Sequence, residues 1–362
     1  MRLLIDIGHP AHVHYYRNLA RELNNREYKV LWTVKDIPVA KRLLDYYGFK
    51  YIVFPKKADE LIGKVLRQIQ YNIKLFRICK SEKITMAIGT SGSVAHVSRI
   101  SSIKSIVFDD DDDDVQPLFS KFVNPFADVL LSPDVLRGRK RKNTIYYSGY
   151  HELAYLHPKR FTPNPKVLNE ADLNLNETFF IMRFNVFKAH HDVGMKGLSL
   201  EQKLKLIKIL KTHGKIFITT ERDIEPELKE YELKLSPEKI HSLMAYATVF
   251  LGDSQTMTSE AAVLGIPSLR CNSFAGRISY LEEEENRYGL TYAFQPHDFE
   301  KLVQKLKELI NTPNIKKIWQ RKREKMLSDK IDVTAFWCWF IENYPESVQI
   351  LRENPDYQFK FR

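Results

Sequence analysis

The chain has 362 residues, of which 44% are hydrophobic, and 56 Lys and Arg outweigh 45 Asp and Glu to give a net charge of +11. That length can bury two cores of ordinary domain size, and no run approaches the ~18 apolar residues of a spanning helix. The basic balance calls for an anionic partner, which leaves nucleic acid, an anionic membrane face or a phosphorylated substrate. Nucleic acid is set aside as a partner, because no zinc-finger spacing, RNA-binding aromatic signature or helix-turn-helix is present. Cys79, Cys271 and Cys338 are widely spaced with no Cys-x-x-Cys, so they read as reduced core thiols. The start, MRLLIDIG, enters a strand without an apolar leader, which points to a cytoplasmic protein.

In chain order, Leu3–Ile7 is a strand and Gly8–His14 the loop after it, followed by a helix over Tyr15–Asn24. Lys29–Thr33 and Tyr51–Phe54 are strands flanking a helix over Val39–Tyr47, a βαβαβ opening that predicts a parallel sheet. Ala58–Lys80 is a longer helix with Ile62, Val65, Ile69, Ile73 and Phe76 at helical spacing and basic residues between them. Met86–Gly89, Ser105–Phe108, Ala127–Leu131 and Thr144–Ser148 are further strands, and Gly149–Pro165, with three prolines, reads as a linker. The pattern then repeats: strands at Phe179–Arg183, Lys215–Thr220 and Val249–Leu251 alternate with helices at Leu200–Thr212 and Glu238–Ala247. After a short strand at Leu290–Phe294, helices cover Asp298–Ile310, Ile315–Met326 and Val333–Tyr344. The aromatic residues Phe336, Trp337, Trp339 and Phe340 would bury the last of them.

The stretch VFLGDSQTMTSEAAVLGIPSL, Val249–Leu269, carries the strongest local signal. A β-prone run breaks at Gly252, Asp253 or Ser254 caps the helix that follows, and Gly265 with Pro267 ends it. Such a helix start presents free N–H groups and a positive end, which together make an anion site. Glu260 lies about two turns in and is not part of a capping box. It is either an ordinary surface glutamate or an acceptor for ligand hydroxyls.

The motif G-D-S-Q-T-M-T-S-E-A-A-V-L-G-I-P resembles the donor-site signature of the two-Rossmann (GT-B) sugar-nucleotide enzymes. It is most similar to that of the non-hydrolysing UDP-N-acetylglucosamine 2-epimerases and of the transferase that makes lipid II. With GHPAHVHYY near the N-terminus and MRFNVFKAHHDVGMKGLS in the middle, nearly the whole chain resembles domain of unknown function (DUF) family 354. The resemblance implies an α/β protein of two Rossmann-like domains facing a cleft, with residues 1–160 on the acceptor side and 161–335 on the nucleotide-sugar side. Residues 336–362 would cross back onto the first domain. It further implies that Ser254, Gln255 and Thr256 meet the diphosphate, Glu260 the ribose, Arg183 the diphosphate or sugar, and the backbone at Leu235 and Ser236 the base. It places His12 on the proposed base of lipid-II-type transferases.

His9, His12 and His14 suit acid/base work, since imidazole titrates near neutrality. Their structural alternative is to cap the following helix or to bind phosphate. Asp109–Asp114 is the most conspicuous run. Its aspartates cannot all converge on one ion, DxD metal sites belong to a different transferase fold, and GT-B chemistry requires no metal or other cofactor. If the strand persists, Asp110 and Asp112 share a side, and Asp110 becomes a catalytic candidate. The epimerase resemblance departs at Gly89-Thr90-Ser91, where epimerases carry an acid. Ala189-His190-His191-Asp192, near the place of an epimerase basic motif, keeps that reading open. The basic helices at Lys64–Lys80 and Lys316–Lys325 would either touch an anionic membrane face from the cytoplasmic side or leave their lysines in water.

The sequence therefore supports a metal-independent glycosyltransferase that takes a nucleotide-diphosphate sugar, a UDP-sugar by the resemblance. The acceptor would be a saccharide or lipid-linked molecule in cell-surface polysaccharide or glycolipid synthesis. A UDP-sugar 2-epimerase and a non-catalytic nucleotide-sugar-binding protein are the alternatives.

Overall fold

The computed structural model describes residues 1–56, 61–109, 111–136, 141–184, 197–220 and 224–362, with backbone alone at 61 and 62. The chain divides into two compact units, Met1–Tyr155 with Lys330–Arg362, and Leu156–Asp329.

The first unit runs β1 (Arg2–Ile7), α1 (Pro10–Asn25), β2 (Lys29–Lys35), α2 (Pro38–Tyr46), β3 (Tyr51–Phe54), α3 (Leu61–Ser81), β4 (Met86–Gly89), α4 (Gly92–Arg99), β5 (Lys104–Phe108), α5 (Pro117–Phe122), β6 (Val129–Pro133) and β7 (Thr144–Tyr147). A short α6 (Leu153–Leu156) leads out of it. The strands form one parallel sheet in the order β3-β2-β1-β4-β5-β6-β7. Its central strand is covered on both faces, which is why Leu3, Leu4, Ile5 and Ile7 are apolar in near-continuous sequence and fully buried.

The second unit contains α7 (Lys166–Glu170), β8 (Phe179–Phe184), α8 (Leu200–Leu210), β9 (Lys215–Thr220), α9 (Ile240–Met244), β10 (Val249–Gly252), α10 (Gln255–Leu264), β11 (Ser268–Cys271), α11 (Ser279–Asn286), β12 (Thr291–Phe294), α12 (Phe299–Ile310) and α13 (Ile315–Asp329). Its parallel sheet has the order β12-β11-β10-β8-β9. Both sheets are Rossmann-like. Each has a point where the strand order reverses, β1/β4 in one and β8/β10 in the other. Ligands of such folds gather there, at the carboxyl ends of the strands.

The chain returns to the first unit at Lys330 and adds α14 (Val333–Glu342) and α15 (Glu346–Glu353). Asp332 caps α14 by accepting the Ala335 N–H at 3.1 Å, and the Thr334 hydroxyl donates to the Ala154 carbonyl at 2.6 Å. Phe336, Trp337 and Phe340 are fully buried. The Trp337 ring lies 4.5 Å from Phe108, 5.5 Å from His151 and 6.0 Å from Tyr16. Trp339 is half-buried instead, against Tyr357 at 4.8 Å and Phe361 at 5.5 Å in the tail.

Four local expectations change. Helix α1 starts at Pro10 rather than Tyr15, because proline fits the first helical position and His9 supplies a cap. His12 and His14 therefore stand on a helix and not in a loop. Strand β5 ends at Phe108, so the aspartate run does not continue it. The stretch read as a linker is packed: Tyr150 and Leu153 to Leu156 are buried. On α3 the buried face is Tyr71, Leu75 and Cys79, whereas Val65, Ile69 and Ile73 are exposed.

His151 sits wholly inside the aromatic cluster around Trp337, and burial pushes its imidazole pKa down to about 3. Between that value and the ordinary ~6.5, the unfolded chain binds a proton that the folded one refuses. Stability then falls as pH drops through the window, by about 1.4 kcal/mol per pH unit from this group. Urea unfolding of the wild type and His151→Gln across this range checks it. The variant is expected to show a shallower acid slope, and equal slopes would contradict the assignment.

Candidate functional site

In the second unit the site begins with a glycine. A Cβ at Gly252 would lie 2.1 Å from the Arg183 carbonyl oxygen, so only glycine lets β10 run this close to β8. Register pairs Gly252 with Arg183 on one side and with Arg270 on the other, which puts both arginines on the same face of the sheet. The next residue, Asp253, donates its N–H to the Arg183 carbonyl at 3.1 Å, and Asn272 Nδ2 holds the Asp253 carbonyl at 2.8 Å. Ser254 is the N-cap of α10, its hydroxyl accepting from the Met257 N–H at 3.4 Å. The first-turn N–H groups of Gln255 and Thr256 have no acceptor within the helix, and both residues are half-buried. Arg183 Nη1 donates to the Thr219 hydroxyl at 2.9 Å, which holds the guanidinium at the end of β8. Helix dipole and free N–H groups together favour an anion here.

Glu260 is not on the surface. It is 4% exposed, and its Oε1 lies 2.8 Å from Nε2 of His241, a residue that is 2% exposed. This pair ties α10 to α9, whose preceding turn begins at the half-buried Ser236. The far end of α10 is held by α13. Arg323 Nε donates to the Val263 carbonyl at 2.7 Å, and Gln320 Nε2 to the Leu264 carbonyl at 3.0 Å. Lys316 and Lys322 donate to the carbonyls of Tyr246 and Gly289, so much of the basic stretch on α13 is structural.

No sequence signal singles out Arg270. It is fully buried, and neither Nη1 nor Nη2 has a hydrogen-bond partner among the described residues. Burial lowers its pKa, opposed by Tyr280 and by Glu282, Glu285 and Glu284 on α11. Burial and the charge of Glu282 in turn push Glu285 up to about 7. An alternating strand pattern does not distinguish such an arginine from a surface one.

In the first unit the β1/β4 end has the same construction. Gly89, at φ +148°, brings β4 so close to β1 that a Cβ would sit 2.6 Å from the Asp6 carbonyl oxygen. Asp6 is buried and accepts from the hydroxyls of Thr33, at 2.7 Å, and Ser91. Lys35, the last residue of β2, lies 3.5 Å from where a Gly8 Cβ would be and 5.0 Å over the Tyr71 ring. Burial lowers its pKa, partly offset by Asp6. Neither Asp6 nor Lys35 carries a sequence motif, and only the sheet brings them to the loop after β1.

The three histidines after β1 are tied down at Nδ1. His9 accepts there from the Ala11 N–H at 3.2 Å, and His12 from the Gly8 N–H at 3.3 Å. His14 accepts from Arg17 Nη1 at 3.2 Å, lies 3.5 Å from the Tyr47 hydroxyl and stacks on Tyr155 at 5.4 Å. A neutral imidazole that accepts at Nδ1 carries its proton on Nε2. His12 also stacks on Tyr15 at 5.7 Å, whereas His14 sits between a guanidinium and two tyrosines. Thr90, where an epimerase acid would stand, pairs its hydroxyl with that of Tyr16 at 3.3 Å.

The aspartate run is dispersed. Asp109 is buried beside the Ser132 hydroxyl at 3.3 Å, with Arg141 Nη1 at 3.8 Å. Asp113 pairs with Ser120 and Arg141. Asp110 and the segment Ala189–Asp192 lie outside the described residues. Among the described residues, no group of three or more His, Cys, Asp or Glu side chains could hold a metal ion, and no helix is long and apolar enough to cross a membrane. All three cysteines are buried thiols.

Residues 1–333 match the model of the family described as protein of unknown function (DUF354), and the chain belongs to that family. An uncharacterized protein, MJ0665, of Methanocaldococcus jannaschii is 24% identical over 299 residues, covering 78% of this chain and 85% of the relative. Among solved structures, the UDP-GlcNAc 2-epimerase of Neisseria meningitidis bound to UDP-GlcNAc aligns with a TM-score of 0.62 at 12% identity, over 91% of this chain and 95% of that one. The spinosyn rhamnosyltransferase SpnG, complexed with spinosyn aglycone, aligns with a TM-score of 0.58 at 9% identity, over 95% and 100%. These likenesses establish the GT-B fold.

Gly252→Ala tests the construction of the second-unit site. Its methyl would force β10 off β8, at a cost of ~1–3 kcal/mol in stability, and would displace the start of α10. Urea unfolding is expected to show that loss. A variant as stable as the wild type would mean that the close approach is not needed.

Proposed function

We propose that this DUF354 member is a glycosyltransferase that uses a nucleotide-diphosphate sugar, with UDP as the nucleotide. The observation that carries the reading is the start of α10, where helix N–H groups with no acceptor in the helix open at a strand-order reversal, one residue after the turn that Asp253 makes onto the Arg183 carbonyl. In this reading Ser254, Gln255 and Thr256 bind the diphosphate and Arg183 neutralises it. The backbone at Ser236 faces the base. Glu260 accepts from the ribose hydroxyls while His241 fixes its orientation. A carboxylate has lone pairs for both partners.

The acceptor is a saccharide or lipid-linked hydroxyl compound, and His12 is its base. His12 takes the role in preference to His14 because Arg17 already occupies Nδ1 of His14 and its charge opposes a proton there. For His12 the Gly8 N–H must give way as Nδ1 accepts the acceptor's proton. The acceptor oxygen then forms the bond to the anomeric carbon while the bond to the diphosphate oxygen breaks. The leaving diphosphate takes up its charge against the α10 N–H groups, the electrostatic device most effective for a developing anion. The reaction belongs to polysaccharide or glycolipid synthesis on the cytoplasmic side.

A 2-epimerase is the second reading, supported by the UDP-GlcNAc 2-epimerases that share the fold. Thr90 weighs against it, since it offers a hydroxyl where that chemistry calls for a carboxylate. Incubation with a panel of UDP- and GDP-sugars, with and without saccharide acceptors, separates the two by NMR. Acceptor-dependent release of the nucleotide diphosphate is expected. Conversion of donor alone to its epimer would replace transfer by epimerisation, and binding without turnover under every acceptor would favour a non-catalytic binding protein. In a parallel binding measurement, Glu260→Ala is expected to weaken UDP binding by more than ~1 kcal/mol, the scale for hydrogen bonds to a charged group. Unchanged affinity would remove Glu260 from the nucleotide site.

A further inference from the structure

Helix α3 outruns the sheet it packs on. Tyr71 Oη donates to the Pro55 carbonyl at 2.8 Å and Lys74 Nζ to the Val53 carbonyl at 2.7 Å, so these residues are level with the end of β3. Residues 61–70 precede that level and extend about 15 Å beyond it at 1.5 Å per residue. This explains why Val65, Leu66 and Ile69 are 57%, 57% and 50% exposed on a helix that otherwise buries Tyr71, Leu75 and Cys79. Ile73, at 48%, continues the stripe.

Leu118 and Phe122 of α5 are also exposed, at 54% and 52%. Gln68 Nε2 donates to the Ser93 hydroxyl at 2.9 Å, and His96 Nε2 lies 2.7 Å from the Phe122 carbonyl, so α4 bridges α3 and α5. Around Gly92, a Cβ would meet Val123 at 3.1 Å and Gln68 at 3.6 Å, so α3 and the end of α5 converge at the start of α4. The two helices themselves are basic. Leu61–Ser81 contains Lys64, Arg67, Lys74, Arg77 and Lys80 with no acid, and Pro117–Phe122 contains Lys121 with no acid. Of the aspartates before α5, Asp113 is engaged by Ser120 and Arg141, and Asp114 is exposed.

We infer that this face, the projecting half of α3 with α5, docks on an anionic lipid bilayer, its aliphatic side chains entering the acyl boundary and its lysines and arginines meeting lipid phosphates. Aliphatic residues flanked by basic ones are what an interfacial helix requires, and lysines and arginines near an anionic surface add to its hold. A second copy of the chain is a poorer occupant, since it would bring two basic helices together. The basic stretch on α13 does not compete, because that helix exposes no large apolar side chain. The inference is independent of the reaction, because it concerns a surface and not the nucleotide site.

Flotation of the full chain with phosphatidylcholine vesicles, with and without phosphatidylglycerol, tests it at low and high salt. The wild type is expected to float with the phosphatidylglycerol vesicles and to lose most of that binding in high salt. Val65→Glu with Ile69→Glu is expected to reduce binding at least about tenfold, equivalent to about 1.4 kcal/mol, with an unchanged melting temperature and unchanged UDP affinity. Leu204→Glu, at an exposed apolar position on α8, is expected to float like the wild type. No binding to phosphatidylglycerol vesicles, equal binding by the double variant, or equal binding to neutral vesicles would overturn the inference. So would sedimentation showing a wild-type dimer that the double variant dissociates, since the face would then be an interface between copies.

Discussion

The second-unit site depends on how close two strands come. With no side chain at Gly252, β10 runs against the Arg183 backbone, and the Asp253 N–H closes onto the Arg183 carbonyl at 3.1 Å. That bond fixes the turn, the turn fixes Ser254 as a cap, and the cap fixes the direction in which the first N–H groups of α10 point. A larger residue at Gly252 would change all three. The first unit repeats the device at Gly89 and Asp6, again where the strand order reverses. In both sheets, the chain leaves adjacent strands in opposite directions around such a point, so the helices diverge and the strand ends stay open.

Around this frame the polar groups are held from a distance. Glu260 is oriented by His241, the Asp253 carbonyl by Asn272, and the end of α10 by Gln320 and Arg323. Buried polar side chains of this kind are costly unless partnered. Their pairing gives the helix one position, which is what a binding site made of backbone N–H groups requires.

What can be read from the sequence is local. The β10–α10–β11 unit is announced by a β-prone run, a glycine break, a capping serine and a glycine in the left-handed conformation at Gly265, φ +74°, each acting over a few residues. The two alternating βα halves are legible for the same reason. Glu260 is legible only as a question, because its partner His241 lies on another helix. Lys35, Asp6 and Arg270 carry no local pattern, and they matter only through the strands that place them. The histidines read as loop residues because a proline stands among them, whereas in the first turn of a helix Pro10 is favoured. On α3 the apolar spacing is real, but it does not reveal that the sheet ends before the helix does. The net charge of +11 likewise does not reveal which basic groups are bonded to carbonyls, as Lys74, Lys316 and Lys322 are, and which are exposed, as Arg77 and Lys80 are.

The central claim is that the start of α10 receives a nucleotide diphosphate, and a crystal structure with UDP bound tests it most directly. The account predicts diphosphate oxygens within hydrogen-bond distance of the Gln255 and Thr256 N–H groups and the Arg183 guanidinium, with the ribose against Glu260. UDP bound elsewhere on the chain, with the start of α10 unoccupied, would contradict it.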